Sequence, residues 1–383
     1  MWQTFQTDPP HSLEWVHYDE RYPNPPGEYP GAWLVPNDWP KVGATVNIRH
    51  PISLNNSPYK YLPPNSTPLY PFPGGHLTGD GNPQGLLALR VLNIQPGGHV
   101  HSSLEELSFD GTSLWTGGSI EAGASSPPGV VHNQGRLSVT GPFVLVRGGA
   151  GFLNTEHVEI QSTFGIEFGG AFTNLSGGTP DSSVAEIVLS RPGATIEQAN
   201  GGGGFSGYLS NLGVVRKTGT GTATISAVLF NDASSTRNRA GTIAVDEGTL
   251  VLEGSSTYHG LKAEIAPGAL LLMRNSHFLS PGNISVTGGG LLRLEPTAVL
   301  RTEASARGAL AAANGRLECA GAALNNIVNK GSLQFTAPSI WRDGINEGRA
   351  LVQRTLGIDL LVNGSSESHA AVLDLEGDTD LVP

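Results

Sequence analysis

The sequence predicts an all-β protein, a parallel β-helix (β-solenoid) in which short strands coil and stack on one another. Three alternating runs carry this prediction, at residues 214–215, 222–228 and 242–252, and each is closed by Gly or by small polar residues. A second observation is that 52 Gly and 27 Pro among 383 residues are spread between strand-like runs, as turn residues are. The chain is therefore expected to turn often and to contain little helix. The Ala-rich segment 306–315 is the one candidate helix.

Within the last run, Ile243 and Val245 alternate with more polar neighbours, and Leu250 and Leu252 do the same after a Gly-containing break. Side chains two residues apart lie on one face of a strand. A solenoid buries that face by stacking each turn against the next. A repeated unit of this kind therefore predicts one continuous, narrow core.

Turns of the coil are marked by an Asn followed closely by Gly and then by an alternating strand. The pattern occurs at Asn133, Asn314, Asn329 and Asn346. Asn and Gly tolerate left-handed backbone conformations, which suits them to tight corners. Stacked Asn side chains at these corners are also expected to hydrogen-bond along the coil axis.

The stretch from Gly213 to Gly254 contains the phrase K-T-G-x-G-T-x-x-(I/L)-S followed, after a polar linker, by G-T-(I/L)-x-V-x-x-G-T-L-x-L. The residues that match are Lys217, Thr218, Gly219, Gly221, Thr222, Ile225, Ser226, Gly241, Thr242, Ile243, Val245, Gly248, Thr249, Leu250 and Leu252. This phrase resembles a repeat of bacterial autotransporter passenger domains. The resemblance implies a right-handed parallel β-helix exposed outside the cell, and it implies no particular chemistry.

The chain is predicted to divide at residue 40. Residues 1–40 hold four of the six Trp, and the many Pro there argue against repeating strands. We interpret them as a Pro- and aromatic-rich N-terminal cap over the end of the solenoid, which would cover unpaired strand edges. A docking arm for another subunit and an aromatic carbohydrate-binding platform are the alternatives.

Residues 41–383 are predicted to form the β-helix, interrupted by a Pro-rich loop at 56–85. A loop of this length is usually functional or mobile. The aromatic residues of the cap and of this loop are the candidate binding residues, namely Trp15, Trp33, Trp39, Tyr59, Tyr61 and Tyr70.

Charge and cysteine content exclude several classes of protein. The net charge is −11 and no basic run is present, so a nucleic-acid-binding face is not expected. No apolar run reaches the length of a transmembrane helix. The single cysteine, Cys319, excludes an internal disulfide framework, and its setting predicts a small residue within a strand. The sequence predicts no cofactor.

The best candidate for a metal site combines His99, His101, Glu105 or Glu106, and His132. These residues resemble the H-x-H-x3–4-E and P-x-G-x2-H pattern of cupins, in which three His and one Glu hold a metal. The two halves lie closer together than in cupins, and Arg136 stands where cupins have Asn. The alternative interpretation is a set of solvent-facing polar positions.

Paired carboxylates for glycan cleavage are a second possible chemistry. Enzymes of this class place two acidic side chains roughly 5 to 9 Å apart. The candidates are Asp80, Glu156, Glu159, Asp181, Glu186, Asp246 and Glu247. The alternative is an ordinary solvated acidic surface.

Taken together, the sequence favours an extracellular or surface-displayed structural or adhesive β-helix, bacterial or on a virion. Self-association into an oligomer or fibre is expected, and a surface polysaccharide is a further candidate partner. The first alternative is a carbohydrate-active β-helix, such as a phage tailspike-like depolymerase or a polysaccharide lyase. The second is a small metal-dependent module around His99 and His101.

Overall fold

The computed structural model of the chain describes a defined set of residue ranges. They are 4–8, 12–16, 45–48, 51–54, 86–102, 106–122, 129–147, 151–166, 170–175, 184–198, 207–231, 233–234, 239–279, 282–302, 308–312, 314–354, 356–358, 361–363, 372–375 and 379–381. The fold divides into two compact units. The N-terminal unit comprises 1–173 and 199–207, and the C-terminal unit comprises 174–198 and 208–383.

The N-terminal unit is built from short strands, the last of which reaches the boundary between the units. They are β1 (Thr4–Asp8), β2 (Ser12–Val16), β3 (Thr45–Ile48), β4 (Pro51–Leu54), β5 (Leu86–Leu89), β6 (Val91–Ile94), β7 (His99–Ser102), β8 (Glu106–Phe109), β9 (Thr112–Trp115), β10 (Gly118–Ala122), β11 (Val130–Asn133), β12 (Arg136–Val139), β13 (Val144–Arg147), β14 (Gly151–Asn154), β15 (His157–Ile160), β16 (Thr163–Ile166) and β17 (Ala171–Asn174).

The C-terminal unit is built from strands of 2 to 6 residues. They are β18 (Glu186–Leu189), β19 (Thr195–Gln198), β20 (Tyr208–Asn211), β21 (Val214–Lys217), β22 (Thr222–Ile225), β23 (Val228–Asn231), β24 (Ala233–Ser234), β25 (Arg239–Ala240), β26 (Thr242–Val245), β27 (Thr249–Leu252), β28 (Ser256–Tyr258), β29 (Leu261–Ile265), β30 (Leu270–Met273), β31 (Ser276–Leu279), β32 (Asn283–Thr287), β33 (Leu291–Leu294), β34 (Val299–Thr302), β35 (Gly308–Ala312), β36 (Arg316–Ala320), β37 (Ala323–Asn325), β38 (Ile327–Asn329), β39 (Ser332–Ala337), β40 (Ser339–Arg342), β41 (Gly344–Asn346), β42 (Arg349–Val352), β43 (Leu356–Ile358), β44 (Leu361–Asn363), β45 (Val372–Leu375) and β46 (Thr379–Leu381).

Both units are coils of the same three-sided type, and the predicted right-handed parallel β-helix is confirmed. In the N-terminal unit the first sheet contains β3, β6, β9, β12 and β15, the second contains β4, β7, β10, β13 and β16, and the third contains β5, β8, β11, β14 and β17. In the C-terminal unit the first sheet runs from β18 through β21 and β26 to β44, the second from β19 through β22 and β27 to β45, and the third from β20 through β23 and β28 to β46. Each strand of the coil therefore pairs in parallel with the strand three positions earlier, when the separate antiparallel pair of β24 and β25 is left out of the count.

Residues 1–40 are described only at β1 and β2. These strands form an antiparallel hairpin that pairs Phe5 with Trp15, and β2 adds to β3 in parallel. The role of residues 1–40 as a cap or docking arm stays a prediction. The loop at 56–85 lies outside the described residues.

The alternation predicted between Gly213 and Gly254 is present, and it is split between two sheets. Ile243 and Val245 of β26 are fully buried in the first sheet, and Leu250 and Leu252 of β27 are buried in the second. Gly248 makes the corner between them with a φ of 72°, and a Cβ there would lie 2.3 Å from the Gly221 carbonyl oxygen. A left-handed residue without a side chain is therefore required at this corner.

Lys217 occupies an inward position of this repeat. Its register partners are Leu189 and Val245, both buried, and its own side chain has no exposed surface. The ammonium group donates to the Thr218 carbonyl, at 2.5 Å, and to the Gly219 carbonyl. Burial lowers the pKa of Lys217, and the nearby Glu247 carboxylate opposes that shift. The Lys of the K-T-G phrase thus packs its stem in the core and caps the corner with its head group.

Aromatic rings fill much of the core. In the N-terminal unit Trp115 packs edge-on against Phe152 at 5.4 Å, and its indole N–H donates to the Leu92 carbonyl. In the C-terminal unit Trp341 packs on Phe335 and donates to the Ile327 carbonyl. Each buried indole therefore has a hydrogen-bond partner, as burial of its N–H requires.

The single cysteine and the one candidate helix also lie in strands. Cys319 is buried in β36, as predicted, and burial raises the pKa of its thiol to about 11. Within the Ala-rich candidate helix, Gly308–Ala312 forms β35. Among the described residues, no helix is long and apolar enough to cross a membrane.

The predicted Asn stacking occurs at two different corners. At the corner after the third sheet, Asn174 donates to Asn211 at 2.9 Å, and Asn211 donates to Asn231 at 2.8 Å. In the N-terminal unit Asn133 donates to Asn154 at the equivalent corner, at 2.7 Å. At the corner after the first sheet of the C-terminal unit, Asn329 donates to Asn346 at 2.9 Å.

Of the two predicted roles of these Asn residues, hydrogen bonding along the coil axis is present and a left-handed backbone is not. Asn133, Asn211 and Asn329 are fully buried, and none of them is among the residues with positive φ. Their amides instead bond carbonyls and amides of the corner backbone, as Asn211 does with the Thr242 carbonyl. Glycine is required at position 213, two residues after Asn211, because a Cβ there would lie 2.2 Å from the Ala185 carbonyl oxygen. Asn314, by contrast, is exposed and belongs to no such stack.

Replacing Asn211 by Ala tests the stacking. The substitution leaves buried corner groups without a partner, so we expect the free energy of unfolding to fall by about 1–3 kcal/mol. Urea unfolding followed by circular dichroism measures the change. Asn314→Ala is the matched control, because its exposed side chain predicts a change within about 0.5 kcal/mol. Equal losses for the two variants would contradict the stacking account.

A buried histidine gives the fold a predictable pH dependence. His277 has no exposed surface, its Nδ1 lies 3.3 Å from the Tyr258 hydroxyl, and its Nε2 has no hydrogen-bond partner among the described residues. Burial lowers the pKa of His277 from 6.5 to about 4. The unfolded chain therefore binds a proton at this residue between these two pH values, whereas the folded protein does not. The contribution of His277 to the free energy of unfolding is complete above pH 6.5 and is lost as the pH falls towards 4.

The His277→Leu variant isolates this contribution. The free energy of unfolding of the wild type is expected to lose about 3 kcal/mol more than that of the variant on acidification through this window. Denaturant unfolding at a series of pH values measures both curves. Parallel curves for the two proteins would show that His277 does not titrate in this way.

Candidate functional site

The outer face of the third sheet in the C-terminal unit carries a continuous column of side chains, one from each coil. The register runs from β20 to β40 without interruption. We call it the outer column, and its members are Ser210, Phe230, Thr257, Phe278, Arg301, Asn325 and Arg342. Neighbouring members lie about 4.8 Å apart, the spacing of paired strands.

Alternation within each strand places this column outside. Leu229, His277, Leu300, Leu324 and Trp341 lie next to members of the column in the chain, and all of them are buried. These buried side chains pack in the core and anchor the strands there. The register of the ladder then aligns the outward residues of successive coils.

The first half of the column contains two aromatic residues, Phe230 and Phe278. Phe230 is 37% exposed and Tyr208, from the neighbouring outward position, is 36% exposed. The two rings meet edge to face at 5.4 Å, with an interplanar angle of 87°. Phe278 lies two coils further on, half-buried, with the Arg301 guanidinium 5.9 Å from its ring centre. Exposed rings that pack against another ring or against a guanidinium group provide flat apolar surfaces beside polar groups.

The second half of the column presents hydrogen-bond donors. Arg301 and Arg342 are exposed, and Asn325 lies between them in register. Neither arginine forms an ion pair with a carboxylate in the part of the chain that the structure describes. The corner that precedes β28 and β31 carries Glu253 and Arg274, whose carboxylate and guanidinium groups lie 2.8 Å apart.

The residues predicted to form a metal site lie on two different sheets of the N-terminal unit. His99 belongs to the second sheet, with its Nδ1 2.6 Å from the Ser119 hydroxyl and its Nε2 3.4 Å from the Glu121 carboxylate. His132 belongs to the third sheet, with its Nδ1 2.9 Å from Glu106. Each imidazole thus has its own polar partners.

No group of three metal-binding side chains comes together among the described residues. His101 lies in β7 in register with Glu121, and its side chain is outside the described residues, as is Glu105. The metal site around His99, His101, Glu105 and His132 therefore stays a prediction.

The candidate binding residues of the cap and loop are not tested either. Trp15 lies in β2, with its side chain outside the described residues. Trp33, Trp39, Tyr59, Tyr61 and Tyr70 lie wholly outside them.

Two of the candidate catalytic carboxylates are bound to one arginine. Arg216 donates to Glu186 at 2.6 Å and to Asp246 at 2.8 Å, on the outer face of the first sheet. The hydrogen bond to Glu186 is the main cause of the raised pKa of Arg216. Glu159 accepts from Gln161, and Asp80 and Asp181 lie outside the described residues. The arrangement at Arg216 is a structural ion-pair bridge between coils.

No signal in the sequence marks the outer column, because coil length varies. Stacked Asn174 and Asn211 are 37 residues apart, whereas Asn211 and Asn231 are 20 apart. The residues of the column therefore have no fixed spacing in the sequence.

Comparisons with protein families, with curated proteins and with solved structures found no match to this chain. The resemblance to autotransporter passenger repeats stays a prediction.

Proposed function

We propose that this protein is a structural or adhesive β-helix, displayed outside the cell or on a virion, that binds carbohydrate along the outer column. The observation that carries the proposal is the exposure of Tyr208 and Phe230 on consecutive coils of one flat sheet face. Aromatic rings with one apolar face in solvent suit the apolar faces of sugar rings. An extended glycan could then lie across the strands and meet one coil after another.

Binding rather than cleavage is supported by the way acidic residues are used. Glu186 and Asp246 both bind Arg216, on the first sheet and away from the outer column. The outer column itself contains no carboxylate. A paired-carboxylate mechanism needs two acidic groups facing the same glycosidic bond, and the described face offers none.

Self-association into an oligomer or fibre belongs to the same proposal, because β-helical coils can abut and extend one another. Analytical ultracentrifugation of the protein over a range of concentrations tests it. A monodisperse monomer at the highest concentration would contradict this part.

Removal of the two exposed rings tests the binding face. The Tyr208→Ala/Phe230→Ala variant should lose about 2 kcal/mol of binding free energy, because each aromatic contact contributes about 1 kcal/mol. This loss corresponds to a roughly 30-fold weaker Kd on a glycan array.

Phe143→Ala is the matched control, because Phe143 is 38% exposed and belongs to the N-terminal unit. Its binding should equal that of the wild type. The reaction mixture is also analysed for released oligosaccharides. Unchanged binding in the double variant contradicts the proposed face, and released oligosaccharide favours the depolymerase alternative.

A further inference from the structure

Several arginines of the C-terminal unit are bound by carboxylates. Arg216, Arg274, Arg293 and Arg349 each bind a carboxylate on their own or a neighbouring coil. Arg301 and Arg342 bind none among the described residues, although the chain carries a net charge of −11. Arg191 and Arg354 of this unit also form no ion pair among the described residues, but Arg301 and Arg342 lie in one ladder that also contains Phe278. Two exposed guanidinium groups in that position point to a ligand that supplies the negative charge.

Asn325 completes a row of three donors. It lies in register between Arg301 and Arg342, so the three side chains occupy consecutive coils. Its Oδ1 is enclosed and has no hydrogen-bond partner among the described residues. The amide nitrogen is then the polar atom of this side chain that can meet a ligand. Guanidinium and amide N–H groups are the donors that recognise carboxylate and sulfate oxygens.

We propose that the outer column binds an acidic polysaccharide, an inference that rests on the proposed carbohydrate-binding function. Sugar rings lie against Tyr208, Phe230 and Phe278, and anionic substituents further along the same chain bind Arg301, Asn325 and Arg342. Both halves belong to one ladder with a constant strand spacing. A single extended molecule can therefore contact the aromatic rings and the donors together. The shared chemistry of the ligand is an anionic group on a sugar, either carboxylate or sulfate.

A polysaccharide fits this face better than a nucleic acid. Single-stranded nucleic acid also stacks on aromatic rings, but it binds in a positively charged groove that follows its whole backbone. The described column has two arginines at one end and neutral residues over the remainder. A polysaccharide can instead place neutral faces of its sugar rings on the aromatic half and its anionic groups at the arginines.

The test compares four probes by biolayer interferometry on the whole protein. Polygalacturonate supplies carboxylates, chondroitin sulfate supplies sulfates as well, dextran is neutral, and an oligothymidylate represents nucleic acid. We expect one or both acidic glycans to bind at least tenfold more tightly than dextran. The preference should weaken as salt is added, because the contacts are ionic.

The variant Arg301→Gln/Arg342→Gln should lose this tenfold preference and retain residual binding through the rings. Arg136→Gln/Arg191→Gln is the matched control. It makes the same change in net charge at two exposed arginines outside the outer column, and it should bind like the wild type.

The outcomes separate the inference from the function on which it rests. Binding of dextran as tight as that of the acidic glycans, lost only in Tyr208→Ala/Phe230→Ala, overturns the acidic ligand and keeps the carbohydrate-binding face. Binding of no glycan at all overturns both. Tighter binding of oligothymidylate than of either acidic glycan overturns the polysaccharide assignment. So does self-association that Arg301→Gln/Arg342→Gln abolishes, because a second copy of the chain would then be the occupant.

Discussion

In-register stacking of each coil on the preceding one is the interaction on which both units depend. A slip of one residue would turn every inward side chain outward. The buried apolar side chains and the corner residues must therefore specify one register. Buried amides such as Asn211 fix the corner by bonding the coil above, and Gly213 lets two backbones approach closely. Lys217 performs a related task at another corner, where its ammonium caps two carbonyl groups. Corner chemistry and core packing therefore specify the same register.

The same ladder determines where function can reside. The interior is filled by apolar side chains and by rings such as Trp115 and Trp341, which leaves the outer face of each sheet for contact with other molecules. Outward side chains of successive coils align. When several coils carry side chains of similar chemistry at the same position, those side chains form a linear surface. The outer column is such a surface, with exposed Phe230 near one end and, at the other, Arg342, which forms no ion pair with any described residue. An extended ligand suits it better than a compact one.

The sequence allowed the architecture to be predicted, but not this surface. Alternation and Gly-rich breaks are local signals, so the strands around Ile243 and Leu250 could be inferred from them. The corner Asn residues could also be found, although the exposed Asn314 precedes its Gly directly, whereas Lys330 separates the buried Asn329 from its Gly. Which outward residues meet depends on the length of each coil, and that length is set by tertiary stacking. Phe230 and Arg301 therefore carried no recognisable motif, whereas the conspicuous His99 and His132 lie on separate sheets.

A crystal structure of the protein with a short oligogalacturonate would test the central claim most directly. The account predicts a sugar chain that crosses the strands of the third sheet, with rings against Phe230 and Phe278 and a carboxylate between Arg301 and Arg342. Electron density for the sugar on another sheet, or a chain that runs parallel to the strands away from these residues, would contradict it.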